Sequence, residues 1–260
     1  MATASKGTDA PGEARVFTPT PAAKGAATRS RIIALVLWAV AIVLELVAIF
    51  WVMRPPFDEL AANHGFPQWR WYLLLGFIAV IGVLAVIGSL LWKKANHYDP
   101  ATRKEPVKFF IQNQLGAFIA LLAFLPLIVM IFLNKDMDPK QKNIAGAAGI
   151  IVAIAATVLG IDFKPLSKEQ VAVESQVVMQ LVGQDRVYWS DGGKVVHLCD
   201  AASDIKNATT PVSNGPIADA FSKGKQGITL ELNSELNQCG LAVPANLVDI
   251  EQWVRSARGL

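Results

Sequence analysis

Four long apolar blocks occupy most of the chain before residue 162: Ile32 to Met53, Trp71 to Trp92, Leu115 to Leu133 and Ile144 to Ile161. A helix needs about 20 residues to cross a hydrocarbon layer about 30 Å thick, and each block is close to that length, so each predicts a transmembrane helix. Trp51, Trp69, Trp71, Tyr72 and Trp92 stand at block ends, the depth at which amphipathic rings meet headgroups. Residues 1–30 carry Ala, Thr, Pro, Gly and Lys without apolar periodicity and read as a disordered tail. The first block is too long for a signal-peptide core and no small-residue cleavage site follows it, which reads as a retained anchor.

Beyond residue 162 the pattern becomes that of a small water-soluble domain. Glu169 to Val182 mixes helical with alternating spacing and is open between helix and strand. Val187-Tyr188-Trp189 and Lys194 to Leu198 are β-prone runs on either side of Ser190-Asp191-Gly192-Gly193, a hairpin signal. Short helices are expected over Ala201 to Lys206 and Pro216 to Lys223, the second with Asn214 as its cap and Gly224 as its stop. A strand follows over Ile228 to Leu232. Asn246 to Arg258 closes the chain as an amphipathic helix with Leu247, Ile250, Trp253 and Val254 on one face. The fold class is therefore an α-helical membrane protein of four transmembrane helices (residues 31–162) followed by a small α+β domain (residues 163–260).

Within the blocks, Ala145, Gly149, Ala153, Ala156 and Gly160 form a small-residue stripe suited to close helix packing in lipid. Pro126 frees the Leu122 carbonyl and predicts a bend in the third span. Glu45 lies near the middle of the first span, where an unpaired acid costs about 2.5 to 3.5 kcal/mol on insertion scales. Ala34, Ala41 and Ala48 share its face, so it is expected to be protonated or hydrogen-bonded against protein. Gln112, Asn113 and Gln114 at the start of the third span read as interface residues.

Composition agrees with two environments in one chain: 53% of the 260 residues are hydrophobic, 17% are charged, and mean hydropathy is +0.38. The net charge of +3 has no basic stripe behind it, which argues against nucleic acid as a partner. Lys6, Arg15, Lys24, Arg29 and Arg31 precede the first span, and Lys93, Lys94, Arg103, Lys104 and Lys108 fill the middle loop. The other two loops hold Arg54 and Arg70, and Lys135, Lys140 and Lys142. By the positive-inside rule both termini, and with them the soluble domain, face the cytoplasm across the plasma membrane.

Chemistry-bearing residues are sparse. His197, Cys199 and Cys239, with Asp200 beside them, give three zinc-type ligands without a Cys-x-x-Cys pair, so no metal, cofactor or catalytic residue is assigned. Two free cysteines suit a reducing compartment. A disulfide between them is expected only if the soluble domain faces outside.

Val187-Tyr188-Trp189-Ser190, Gly193 to His197, Cys199, Ala220 and Gly224 resemble the small domain that ends some secreted nucleases, whose closing Cys-x-x-Cys is reduced here to Cys239. No nuclease activity carries over. Arg54-Pro55-Pro56-Phe57, Trp69-Arg70-Trp71-Tyr72 and the Tyr188-Trp189 to His197-Leu198-Cys199 segment resemble a family of actinobacterial four-span membrane proteins. One member of that family accompanies the cytochrome bcc and aa-type oxidase supercomplex. The resemblance implies a non-catalytic accessory or assembly subunit, with other integral membrane proteins, such as those cytochrome subunits, and the lipid bilayer as its partners. Alternatives are a membrane-tethered sensor or regulator with a cytoplasmic ligand- or protein-binding domain, a small transporter using Glu45, and an enzyme built on His197 and Cys199.

Overall fold

The structure is a computed structural model and describes residues 17–260. The described chain divides into two units, one of residues 25–96 and 107–165, the other containing residues 17–24, 97–106 and 166–260.

The first unit is helical. Helix α1 (Pro21–Val47) runs on into a π-helical turn (Ala48–Val52), and α2 (Phe57–Asn63) is a short helix in the following loop. Helices α3 (Gln68–Tyr98), α4 (Pro106–Leu133) and α5 (Pro139–Gly160) complete it. The α1–π segment, α3, α4 and α5 are the four helices long and apolar enough to cross a membrane. Each begins before the block expected from the sequence, and the first and fourth stop one residue short of its end, at Val52 and Gly160. The largest extension is at the start of α1, where residues 21–30 of the expected disordered tail are helical; residues 17–20 have no regular structure, and residues 1–16 lie outside the described residues.

The interior mixes small residues with large ones: Ala34, Ala41, Ala48, Ala120, Ala123 and Ala145 are fully buried, and so are Leu74, Ile81, Phe124 and Leu127. Large apolar side chains such as Val36, Leu122, Leu125, Ile151 and Ile154 are exposed. An apolar outside suits a solvent as apolar as leucine, and the small residues let the backbones gain van der Waals contact by close approach. A Cβ placed on Gly160 of α5 would lie 2.7 Å from the Ala117 backbone nitrogen of α4, and one on Gly116 would lie 2.7 Å from Ser89 Oγ of α3. Gly82 leaves similar room for Val152, and Gly88 for Trp38. Pro126 lies inside α4, where the missing N–H leaves the Leu122 carbonyl without its helical donor. Helix α5 starts on a reciprocal cap in which Asp138 accepts from the Gln141 amide at 2.8 Å and the Gln141 side chain accepts from the Asp138 amide.

The second unit is α+β. Helix α6 (Lys168–Val182) settles the ambiguous segment as helix: Ser167 caps it, Gly183 ends it in the left-handed region at φ 80°, and Val171, Val177 and Val178 face the core. Strand β1 (Val187–Ser190) alternates buried Val187 and Trp189 with half-exposed neighbours, the period of a half-buried strand. The expected hairpin forms in short: Tyr188 and His197 make an antiparallel bridge in which each amide donates to the other's carbonyl at 2.8 Å, and the Gly193 amide closes the turn on the Ser190 carbonyl at 3.1 Å. The longer ladders lie elsewhere, β1 pairing antiparallel with β3 (Val212–Gly215) and β2 (Val195–Val196) parallel with β4 (Gly227–Ile228).

The Ser190–Gly193 turn is also held from outside its own sequence, since Lys225 Nζ donates to the carbonyls of Ser190, Asp191 and Gly193 at 2.7, 3.1 and 2.6 Å. Burial there lowers the Lys225 pKa. Helices α7 (Ser203–Lys206), α8 (Ile217–Ser222), α9 (Leu232–Gln238) and α10 (Leu247–Arg258) complete the unit. Asn214 belongs to β3 and does not cap α8, whose Ile217 amide donates to Asp185 Oδ1 at 3.1 Å. Most of the strand expected over Ile228 to Leu232 is absent because the chain turns at once into α9.

Candidate functional site

The residues singled out in the sequence fall at separate places. In the helical unit, Glu45 is 3% exposed among α1 neighbours and α4. Its carboxyl lies near the Leu127 backbone, beside Pro126, and its Oε1 has no hydrogen-bond partner among the described residues. Glu45 therefore faces protein within its own bundle. The stripe residues Ala145, Gly149, Ala153, Ala156 and Gly160 are all buried in the same bundle, Gly149 beside Ile128 of α4 and Gly160 beside Ala117. The small-residue stripe is thus used in packing within its own bundle.

The amides in the first turns of α4 also bond inside the unit. Asn96 Nδ2 donates to the Gln112 carbonyl at 3.0 Å, Gln112 Nε2 donates back to Asn96 Oδ1 at 3.1 Å, and Gln114 Nε2 donates to the Asp162 carbonyl at 3.1 Å. Between the π-helical turn and α3, Glu59 accepts from Trp69 Nε1 at 2.7 Å and from Arg70 Nε at 2.9 Å. The Arg70 guanidinium holds the Glu59 carboxyl below its ordinary range.

In the α+β unit, Cys199 and Cys239 form a disulfide with Cα atoms 5.9 Å apart, which corrects the expectation of two free thiols. Cys199 follows β2 and Cys239 ends α9, so the bond fastens that helix to the sheet. It also removes both sulfurs from the ligand set that His197, Cys199 and Cys239 suggested. Among the described residues no group of three or more His, Cys, Asp or Glu side chains is arranged to hold a metal ion.

His197 is buried, and its Nδ1 lies 3.1 Å from Glu235 Oε2, while the other Glu235 oxygen accepts from the Leu198 amide. With Glu235 as acceptor, the proton belongs on Nδ1 and Nε2 is left facing a cavity of about 30 Å³ lined by Ser203, Asp204, Ser234 and Gln238. Asp204 Oδ2 is 3.9 Å from that nitrogen, and Asp200 is not in the lining. The volume suits one water molecule. A carboxylate-oriented imidazole can relay a proton to such a water.

Sequence reasoning missed Glu235 because it stands 38 positions from His197, with no spacing rule to link them. It also missed the buried Glu174, which accepts from Arg258 Nε at 2.7 Å, Gln170 Nε2 at 2.9 Å and the Ile228 amide at 2.6 Å. These bonds join α6, β4 and α10. No family model, curated protein or solved structure matches the chain.

Proposed function

We propose that the chain is a multi-pass protein of the plasma membrane that serves as a non-catalytic accessory or assembly subunit of a larger membrane complex. The observation that carries this reading is the closeness of the helical packing. Gly160 of α5 and Ala117 of α4 meet with no space for a methyl group between them, and Gly82, Gly88 and Gly116 make comparable approaches. Helices in such contact cannot slide or part without losing it, which favours a fixed element over a carrier that alternates between two packings. Glu45 fits the same picture as an internal polar contact between α1 and α4. The resemblance to actinobacterial four-span proteins supports one particular complex, the respiratory supercomplex of cytochrome bcc and aa-type oxidase.

The test is purification of the tagged, natively expressed chain in mild detergent, with mass spectrometry and a reduced-minus-oxidised spectrum of the eluate. Stoichiometric cytochrome subunits with haem bands are the expected result. A colourless protein eluting alone would overturn the accessory reading.

For orientation, the ten Lys and Arg residues of the N-terminal segment and middle loop, against five in the other two loops, support cytoplasmic termini. The Cys199–Cys239 disulfide favours a second reading, with the α+β unit in an oxidising compartment, because structural disulfides do not persist in a reducing cytoplasm. Labelling of intact cells with a membrane-impermeant maleimide after mild reduction separates the two. Modification of Cys199 and Cys239 means outside, and protection until lysis means inside.

A further inference from the structure

We propose that a crevice between the ends of α1 and α4 binds one anionic phospholipid, its acyl chain lying along the helices and its phosphate between Arg54 and Lys135. The crevice has a volume of about 340 Å³. Its apolar walls are Ile49 and Met53 on the α1 side and Met130 and Leu133 on α4, and its mouth carries Arg54, Asn134, Lys135 and Asp136. Apolar side chains below and two cations above reproduce the order of groups along a phospholipid. Arg54, Lys135 and Asp136 sum to one positive charge, the complement of a headgroup with one negative charge.

Two further observations show a built site. The π-helical turn over Ala48–Val52, closed by the Met53 amide donating to the Ala48 carbonyl at 2.9 Å, forms one wall; such turns occur mostly as single insertions at functional positions. Asn134 then ties the walls together. Its Nδ2 donates to the Met53 carbonyl at 3.0 Å, while its Oδ1 accepts from the Asp136 and Met137 amides at 2.9 and 3.0 Å. The Arg54 guanidinium is centred 5.2 Å from the Phe50 ring, which positions the cation over the mouth and leaves its N–H groups for a phosphate.

The proposal rests on the membrane reading, and its test separates the two. The full chain is delipidated in detergent, then titrated with phosphatidylglycerol or phosphatidylcholine and examined by native mass spectrometry. Wild type is expected to retain one phosphatidylglycerol with about a tenfold preference over phosphatidylcholine, a modest allowance for two cations partly offset by Asp136. Arg54→Gln with Lys135→Gln abolishes that preference, whereas Lys140→Gln with Lys142→Gln, the same charge change at the start of α5, retains it. The thermal midpoint in detergent checks that both pairs of changes leave the bundle folded. Equal binding of the two lipids by wild type, or equal loss of preference in the two double variants, overturns the site in a chain that still requires detergent. A chain that stays monodisperse without detergent overturns the membrane reading, and the lipid site with it.

Discussion

Removing the Cys199–Cys239 bond is the perturbation whose size follows most directly from the structure. The bond links residues 40 positions apart, and in the chain-entropy account a loop of that length lowers the entropy of the unfolded state by an amount worth about 4 kcal/mol at 25 °C. For a unit of this size that is a large share of the roughly 5 to 15 kcal/mol by which domains are stable. It corresponds to a fall in the unfolding midpoint of roughly 15 to 30 °C. The full chain in detergent, oxidised, reduced, or carrying Cys199→Ser with Cys239→Ser, is unfolded in urea and sampled by pulse proteolysis. Fragment sizes distinguish cleavage in the α+β unit from cleavage in the helical unit. Loss of protection confined to the α+β unit at a much lower urea concentration is expected for the reduced and double-serine forms. Indistinguishable midpoints for the three forms would refute the claim that the bond fastens α9 to the sheet.

Arg258→Ala should destabilise the α+β unit by about 3 to 5 kcal/mol, because it leaves the fully buried Glu174 carboxyl without its cation; a shift below 1 kcal/mol in the same assay would refute this. Gly160→Val should cost about 1 to 3 kcal/mol by forcing α5 away from the Gly116–Ala117 backbone, read as a lower thermal midpoint in detergent, while Gly76→Val, at a glycine with open space beside it, should leave the midpoint unchanged. Burial tends to raise the Glu169 pKa, but the Arg103 amide at 3.0 Å and the Thr102 hydroxyl outweigh it and hold the carboxyl below its ordinary 4.5. A group with a lowered folded pKa stabilises above its unfolded value, so this contribution is full above pH 4.5 and is lost as pH falls through the lower folded value. Glu169→Gln should flatten that acid limb in pulse proteolysis from pH 7 to pH 3, and an unchanged slope would refute the assignment.

Much of the helical unit was legible in the sequence because apolar length is a local property. A run of about 20 apolar residues has few alternatives to a helix in lipid, whatever its neighbours do. The small-residue stripe through Gly149 and Gly160 was visible for the same reason, although its partner was not: only the bundle decides that it meets α4. The π-turn over Ala48–Val52 left no mark that the sequence reading detected, nor did the crevice beside it. Both depend on α1 and α4 lying together and on Asn134 reaching the Met53 carbonyl.

In the α+β unit local patterning was informative only where burial on one face governed it, as in α10 with its buried Leu247, Ile250 and Val254. Strand pairing followed other rules. Ser190-Asp191-Gly192-Gly193 closes a turn as expected, yet the longest pairing of β1 is with β3, some twenty residues further on, which no local pattern announced. The His197–Glu235 pair, the Glu174–Arg258 pair and the Cys199–Cys239 bond all join residues distant in sequence. Such contacts form only when the chain closes on itself. What the sequence alone determined is the four long apolar helices and the change from apolar to mixed patterning along the chain, which depend on near neighbours; which polar groups meet, and whether two cysteines become one disulfide, was decided by tertiary structure.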